Sequence, residues 1–338
     1  MKILVTGGAG YVGSHAVREL LKNGYEVVVY DNLSSGFSDS LQKKDVEFIH
    51  GDLNNLELLE HVFKANNFEA VIDFSGHIEV EESMRNPHKF YSDNVMSLLN
   101  LLNMMNRHNV RTIVYSSSAS VYGEPKEIPV REMHLHNTNN VYGETKAIAE
   151  RMLIFFDKIY GIKSVSLRYF NASGADESGE IGEAHNPETH LIPIILNVAL
   201  GKRQHVSIYG TDYSTKDGTA VRDYIHVRDL SQVHILSMER LISERKSNVF
   251  NVGTGKGYSV KEILETARKI TGHEIPSIIG SRRFGDPAEL VANVDKIKKE
   301  LGWEPRFSDL QTIIKTAWNW HKNHPGGYGK QINNSSFH

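Results

Sequence analysis

Apolar residues open the chain as a short run over 2–6, and the run stops at Thr6-Gly7-Gly8-Ala9-Gly10-Tyr11-Val12-Gly13. Beyond the glycines the period changes, with Val17, Leu20 and Leu21 at helical spacing. A strand, a glycine turn and a helix are predicted in that order. The alternation then repeats. Strands are predicted over 26–30 (ending in Asp31), 46–49, 70–74, 111–115 and 163–168, with helices over 55–65, 84–108 and 141–160 between them. Strands that alternate with helices imply right-handed βαβ units and an α/β fold built on a Rossmann-type, doubly wound parallel sheet. Ligands of such sheets bind beyond the carboxyl ends of the strands, where the glycine loop, Asp31, Asp52, Phe74 and Ser118 all fall.

After about residue 171 the pattern loosens. Glycine- and proline-bearing loops separate short strands at 206–209, 224–227 and 249–252 from helices near 229–243, 259–271, 295–301 and 308–322. We expect a first domain over 1–171 and a smaller α/β domain over 172–330, with 221–250 the stretch placed to return to the first. The polar stretch 331–338 is expected to be a disordered tail.

Composition narrows the function. A chain of 338 residues has ample length for a large core, and 40% hydrophobic with 23% charged residues fits a globular protein. A net charge of −3 gives no bulk attraction to nucleic acid or to an anionic membrane. The absence of cysteine excludes thiolate nucleophiles and disulfides. Most of the seventeen histidines look scattered, and the one tight pair, His134 and His136, lies in a polar stretch, so no metal is expected. No secretory leader and no apolar run near 18 residues is evident, so a cytoplasmic location is expected.

Candidate chemistry comes from three places. Gly7, Gly10 and Gly13 give a G-x-x-G-x-x-G turn between a strand and a helix, which suits a pyrophosphate resting on the helix N-terminus. Asp31 closes the second strand, where a carboxylate binds ribose hydroxyls and repels a 2′-phosphate, so NAD is expected over NADP. Within Tyr142-Gly143-Glu144-Thr145-Lys146, the tyrosine and lysine share a helix face at i and i+4. A phenol titrates near pH 10, and half-ionising it at pH 7 takes about 4 kcal/mol, at about 1.4 kcal/mol per pH unit; a nearby cation supplies part of that.

Taken together, Thr6 to His15, Ser116-Ser117-Ser118, Tyr142-Gly143-x-x-Lys146, Arg168-Tyr169-Phe170-Asn171 and Val221 to Val227 resemble the extended short-chain dehydrogenase/reductase superfamily. Within it the chain is most similar to the UDP-glucose 4-epimerases, from residue 2 to about 328. The more specific signals are the Tyr-Phe-Asn-Ala-x-Gly-Ala run and the stretch from Tyr209 to Thr219. The resemblance implies an isomerase with tightly held NAD that interconverts UDP-glucose and UDP-galactose through a transient 4-keto sugar. It makes Ser118, Tyr142 and Lys146 the catalytic set. It places Gly7, Gly10, Tyr11, Val12 and Gly13 at the pyrophosphate, Asp31, Asn32 and Gly36 at the ribose, and Asp52 and Leu53 at the adenine. Phe74, Ser75, Gly76 and Phe170 line the nicotinamide, with Leu33, Ser35, Asp93 and Ser116 also on the cofactor side. The UDP-sugar falls to Ser118, Tyr142, Asn171, His190, Leu191, Ser207, Ile208, Tyr209, Arg222, Arg283 and Asp286. A homodimer is implied, joined through the helices near 91–108 and 141–160.

Ser118 is followed by Ala119-Ser120 rather than by the acidic pair of the related dehydratases, so elimination is not expected. Departures from the family pattern are Val141 for proline, Asp73-Phe74-Ser75 for His-Phe-Ala, Asp93 for asparagine and His190 for asparagine. With Leu290 near the sugar, these keep a second reading open: the same C4 epimerisation on an N-acetylhexosamine, uronic acid or pentose nucleotide. A third is a non-catalytic NAD-binding regulatory protein.

Overall fold

The glycine turn sits where strand order reverses. The computed structural model describes residues 1–41, 46–283 and 286–329; the expected tail at 331–338 lies outside them. Its strands are β1 (Lys2–Thr6), β2 (Glu26–Asp31), β3 (Glu47–His50), β4 (Ala70–Asp73), β5 (Thr112–Ser118), β6 (Lys163–Tyr169), β7 (Asn171–Ser173), β8 (Val206–Tyr209), β9 (Val221–His226), β10 (Asn248–Val252), β11 (Gly257–Ser259), β12 (Ser277–Gly280) and β13 (Glu289–Leu290). Its helices are α1 (Tyr11–Lys22), α2 (Leu56–Ala65), α3 (Val80–Arg85), α4 (Pro87–Phe90), α5 (Ser97–Arg107), α6 (Val141–Tyr160), α7 (Leu191–Ala199), α8 (Val227–Glu244), α9 (Val260–Thr271), α10 (Asp295–Leu301) and α11 (Leu310–Asn323).

Seven strands form one parallel sheet in the order β10-β6-β5-β4-β1-β2-β3. The order reverses between β1 and β4, whose last residues Thr6 and Asp73 lie side by side in register. This is the doubly wound sheet predicted, and its switch point opens the crevice.

The period-two alternation of the strands supplies two cores, one per face. Ile3, Val5, Val29, Ile72 and Val114 pack with Val17 and Leu20 of α1 and Leu230 and Val233 of α8. Leu4, Val28, Val71, Ile113 and Tyr115 pack with residues of α2, α5 and α6 on the other face. A third cluster joins α7, α9 and α11 to β8. The stretch 221–250 divides. β9 pairs with β11, β13 and β7 in a small sheet, whereas α8 and β10 join the large one.

The helix predicted over 84–108 is broken. The apolar period runs on through Pro87, but a residue before proline is pushed out of the helical region. Asn86 leaves the helix at φ −133°, ψ 68° and caps the next one. A π-helical turn, Tyr91–Met96, then widens the backbone before α5. Helix α7 was not predicted; its run Leu-Ile-Pro-Ile-Ile-Leu is apolar on every side, and Pro193 sits in the first turn, where a missing N–H costs little.

Candidate active site

Each glycine of the turn has its own reason. Gly7 adopts φ +68°, and a Cβ there would lie 2.7 Å from the Phe74 carbonyl carbon, so Gly7 lets the ends of β1 and β4 approach. A Cβ on Gly13 would lie 2.2 Å from the Gly7 carbonyl oxygen, so Gly13 seats α1 on the turn. Gly10 meets only the Gly7 oxygen, at 3.3 Å. The space its missing side chain leaves lies at the N-terminus of α1, where first-turn amides have no intrahelical acceptors. That cradle fits a pyrophosphate.

The Asp31 carboxylate accepts from the amides of Ala9, at 2.9 Å, and Leu33, at 2.8 Å. Burial raises its pKa, and those two amides oppose the rise. Asp31 therefore braces the turn, and each carboxylate oxygen, with one amide bound, keeps a lone pair for a further donor. Asn32 donates to Asp52 at 2.8 Å, which joins the two residues expected around the adenosine, and Leu53 is buried. Gly36 packs on the Ala9 backbone. Ser35 is exposed, and Leu33 holds φ +57°.

Ser118 is the last residue of β5, and Tyr142 lies in the first turn of α6. A Cβ on Gly143 would be 2.5 Å from the Ser120 carbonyl oxygen, so this glycine lets α6 settle on the turn after β5. The approach brings the Ser118 hydroxyl beside the Tyr142 phenol, near enough to oppose the rise in its pKa. Lys146 is buried, donates to the Ser116 carbonyl at 2.8 Å, and holds its ammonium 6.0 Å from the centre of the Tyr142 ring. Burial pushes the Lys146 ammonium down to about 8, and the charges of Asp73 and Glu150 pull it back up. Burial pushes the Tyr142 phenol up to about 12; the Ser118 hydroxyl works in the opposite direction. Half-ionising Tyr142 at pH 7 thus asks for about 7 kcal/mol, at about 1.4 kcal/mol per pH unit, more than the free phenol suggested.

Behind this set lies a buried network. Arg168 of β6 donates from Nε and Nη2 to both oxygens of Glu150, at 2.8 and 2.5 Å, and from Nη1 to the Tyr122 hydroxyl and the Glu132 carbonyl. Ser117 donates to Glu150 at 2.5 Å. Glu150 is one turn beyond Lys146, and Ser117 adjoins Ser118, so the network fixes α6 against β5. The sequence reading gave neither Arg168 nor Glu150 a role, although Lys146 and Glu150 carry the same i, i+4 signal as Tyr142 and Lys146.

At the end of β4, Asp73 is buried and accepts from Thr6, the Ser75 amide and the Ser75 hydroxyl. Phe74 packs on His234 with ring centres 4.6 Å apart, and Phe170 is buried beside the end of β10. Asp93, expected on the cofactor side, directs its carboxylate to His77 at 3.1 Å. The buried neighbour is Asn94, which the sequence reading passed over. It accepts from the His77 amide, donates to the His77 carbonyl and to Thr145, and lies 2.7 Å from the position of a Cβ on Gly76. The π-helical turn puts Asn94 inside and Asp93 at the edge.

Opposite, Arg283 stacks on the exposed ring of Tyr209 at 4.2 Å. Arg222 pairs with Asp286 and donates to the Val221 carbonyl. Leu290 lies in register with Arg222. Ser207 and Ile208 precede Tyr209 in β8, and Asn171 opens β7. His190 precedes Leu191 at the start of α7. Its Nδ1 faces Glu183 at 2.8 Å and Glu188 at 3.4 Å, and His185 faces the same two carboxylates at 3.3 and 3.7 Å. Burial alone would lower both imidazoles; the carboxylates overturn it and hold His185 at about 9 and His190 at about 10. The histidines were expected to be scattered, and here the fold gathers two of them with two glutamates. His134 and His136 instead serve the polypeptide, His134 against Arg131 and His136 against Arg168.

Residues 3–253 match the NAD dependent epimerase/dehydratase family. The chain is 49% identical to a UDP-glucose 4-epimerase of Halalkalibacterium halodurans, over 98% of each chain. A crystal structure of a UDP-glucose 4-epimerase superposes with a TM-score of 0.95 at 45% identity, over 98% of this chain and 100% of the other. The Brucella ovis UDP-glucose 4-epimerase in complex with NAD superposes with a TM-score of 0.91 at 42% identity, over 94% and 97%. With the glycine cradle, Asp31 and the Ser118–Tyr142 pair at the switch point of a doubly wound sheet, the chain belongs to the NAD-dependent epimerase/dehydratase family.

Proposed function

We propose that this chain interconverts UDP-glucose and UDP-galactose by inverting C4. The observation that carries the reading is the buried Tyr142 phenol beside the Ser118 hydroxyl and the buried ammonium of Lys146, at the mouth of the crevice. Gly7, Gly10, Tyr11, Val12 and Gly13 hold the pyrophosphate of NAD, and Asp31 holds its ribose. Bound NAD supplies a reversible acceptor for the C4 hydride and a positive charge beside the phenol. Tyr142 takes the proton of the C4 hydroxyl, and Ser118 donates to the same oxygen. The Lys146 ammonium favours the phenolate, and Ser116 and the Glu150 network fix where it stands. Arg222 and Arg283 hold the diphosphate, and Tyr209 offers its ring to the uracil. Anchored there, the 4-keto sugar turns its other face to Tyr142, which returns the proton.

The test is incubation with UDP-glucose, UDP-N-acetylglucosamine, UDP-glucuronate and a UDP-pentose, with the C4 configuration read by NMR. UDP-galactose is expected from UDP-glucose. Turnover confined to another sugar would favour the second reading, with Leu290 as the residue to vary.

No described helix is long and apolar enough to cross a membrane, and we place the enzyme in the cytoplasm. We also propose a homodimer. Met84, Tyr91 and Met96 are exposed on the 80–96 segment, and Ile154, Phe155 and Ile159 on α6. These apolar side chains are the kind that a partner subunit covers. Light scattering at micromolar concentration should give twice the chain mass; the mass of a single chain would reject the dimer.

A further inference from the structure

The segment Glu183-Ala184-His185-Asn186-Pro187-Glu188-Thr189-His190 carries four potential metal ligands within eight residues. One ligand atom from each of Glu183, His185, Glu188 and His190 lies within 4.8 Å of all the others. The group is built into the protein. The Glu183 side chain is 5% exposed and that of Glu188 10%. The Glu183 carbonyl accepts from Trp320 at 3.0 Å. The Glu188 carboxylate accepts from the amides of Thr189 and His190, both at 2.8 Å, which fixes its direction.

Nδ1 of His185 and Nδ1 of His190 are both buried, and neither makes a hydrogen bond, although carboxylate oxygens lie 3.3 and 2.8 Å away. The oxygens are near the nitrogens but off their N–H directions. Electron-pair donors that crowd together without bonding to one another are placed to share a cation. The nitrogen–oxygen separations are 2.8 and 3.3 Å to Glu183 Oε1 and 3.4 and 3.7 Å to Glu188, the last two to different oxygens of that carboxylate, which turns to present one of them to an ion. A tetrahedral zinc ion with ligands at about 2.0–2.2 Å has edges of roughly 3.3–3.5 Å. With an ion in place of the imidazole protons, two carboxylates and two imidazoles balance a 2+ charge, and a mixed nitrogen–oxygen set with imidazoles suits zinc better than calcium or magnesium.

We propose that Glu183, His185, Glu188 and His190 form a structural site for a divalent transition-metal ion, with zinc the best fit. Four protein ligands close the coordination sphere, so the ion does no chemistry of its own. It staples the loop ahead of α7. The His185 ring lies 6.4 Å from that of Tyr11 in the glycine turn, so the staple stands between the cofactor cradle and the start of α7. Nε2 of His190 remains directed away from the ion.

The experiment uses the full chain, stripped with a chelator, loaded with zinc and desalted. Elemental analysis should find about one zinc per chain, and His185→Ala and Glu188→Gln should each hold less than about a tenth of that. Cobalt should give the visible absorption of a tetrahedral ion in the wild type and not in the variants. Zinc retained equally by both variants would place the ion elsewhere and overturn the proposal. Should the variants fail to fold, the wild type decides alone: zinc competed against a chromophoric chelator should bind with a Kd below about 1 µM, and weaker binding, or no tetrahedral cobalt spectrum, overturns the site.

Discussion

Tyr142→Phe is expected to cut turnover by about 10²–10⁴-fold, the usual contribution of a positioned acid–base group, while the protein keeps its NAD. The substitution removes one oxygen. The ring stays buried, and the Gly7–Gly13 cradle and Asp31 are untouched. Turnover is read from UDP-galactose formation, and bound NAD from the absorbance of the cofactor released on denaturation. Loss of both would mean that the substitution disturbs the fold. Full turnover with full NAD would remove Tyr142 as the base. The cost of ionising the phenol explains the size of the effect. Burial holds Tyr142 at about 12 against the pull of the Ser118 hydroxyl, so a protein that ionises it near neutrality must concentrate positive charge around one oxygen. Water has no equally placed substitute.

The large sheet was legible because its strands are short apolar runs closed by glycine or polar residues, and such runs read as buried parallel strands. The crevice followed from the strand ends, so Gly7, Asp31, Phe74 and Ser118 could be brought together before any coordinates. Three features were hidden for physical reasons. The apolar period continues across Asn86 and Pro87, yet the chain breaks there, because backbone sterics override amphipathicity. The π-helical turn exchanges the inside and outside positions of Asp93 and Asn94, and a period of 3.6 cannot show such a shift. The return of 221–250 was expected, but its division, with α8 and β10 in the large sheet's layer and β9 in the small sheet, rests on pairing between residues more than 80 positions apart, such as Val249 with Ser166, which no local pattern carries. The four residues ahead of α7 are close in sequence, but only the fold of that loop turns Glu183 and His190 toward each other.

Glu150→Gln is expected to be the most damaging single change outside the crevice, with a loss of about 3–5 kcal/mol. Side chains of Glu150 and Arg168 are 3% and 5% exposed, and they meet through two parallel hydrogen bonds. Glu150 Oε1, which takes Arg168 Nε, also accepts from Ser117. The neutral amide cannot balance the guanidinium, and its NH₂ group points a donor at a donor. Arg168 keeps its bonds to Tyr122 and Glu132, but its charge is left buried and unpaired, which is the expensive outcome. In a chain of this size the loss should lower the melting temperature by roughly 5–10 °C. Because α6 and β5 are tied through this point, Ser118 and Lys146 should shift as well, and turnover should fall while Tyr142 remains intact. The pairing itself is tested by Glu150→Gln with Arg168→Met, which removes both charges. If the ion pair is the cause, the double variant recovers part of the stability lost by the single one. If it melts as low as the sum of the two single changes predicts, the residues act independently, and the network is not what holds α6 over β5.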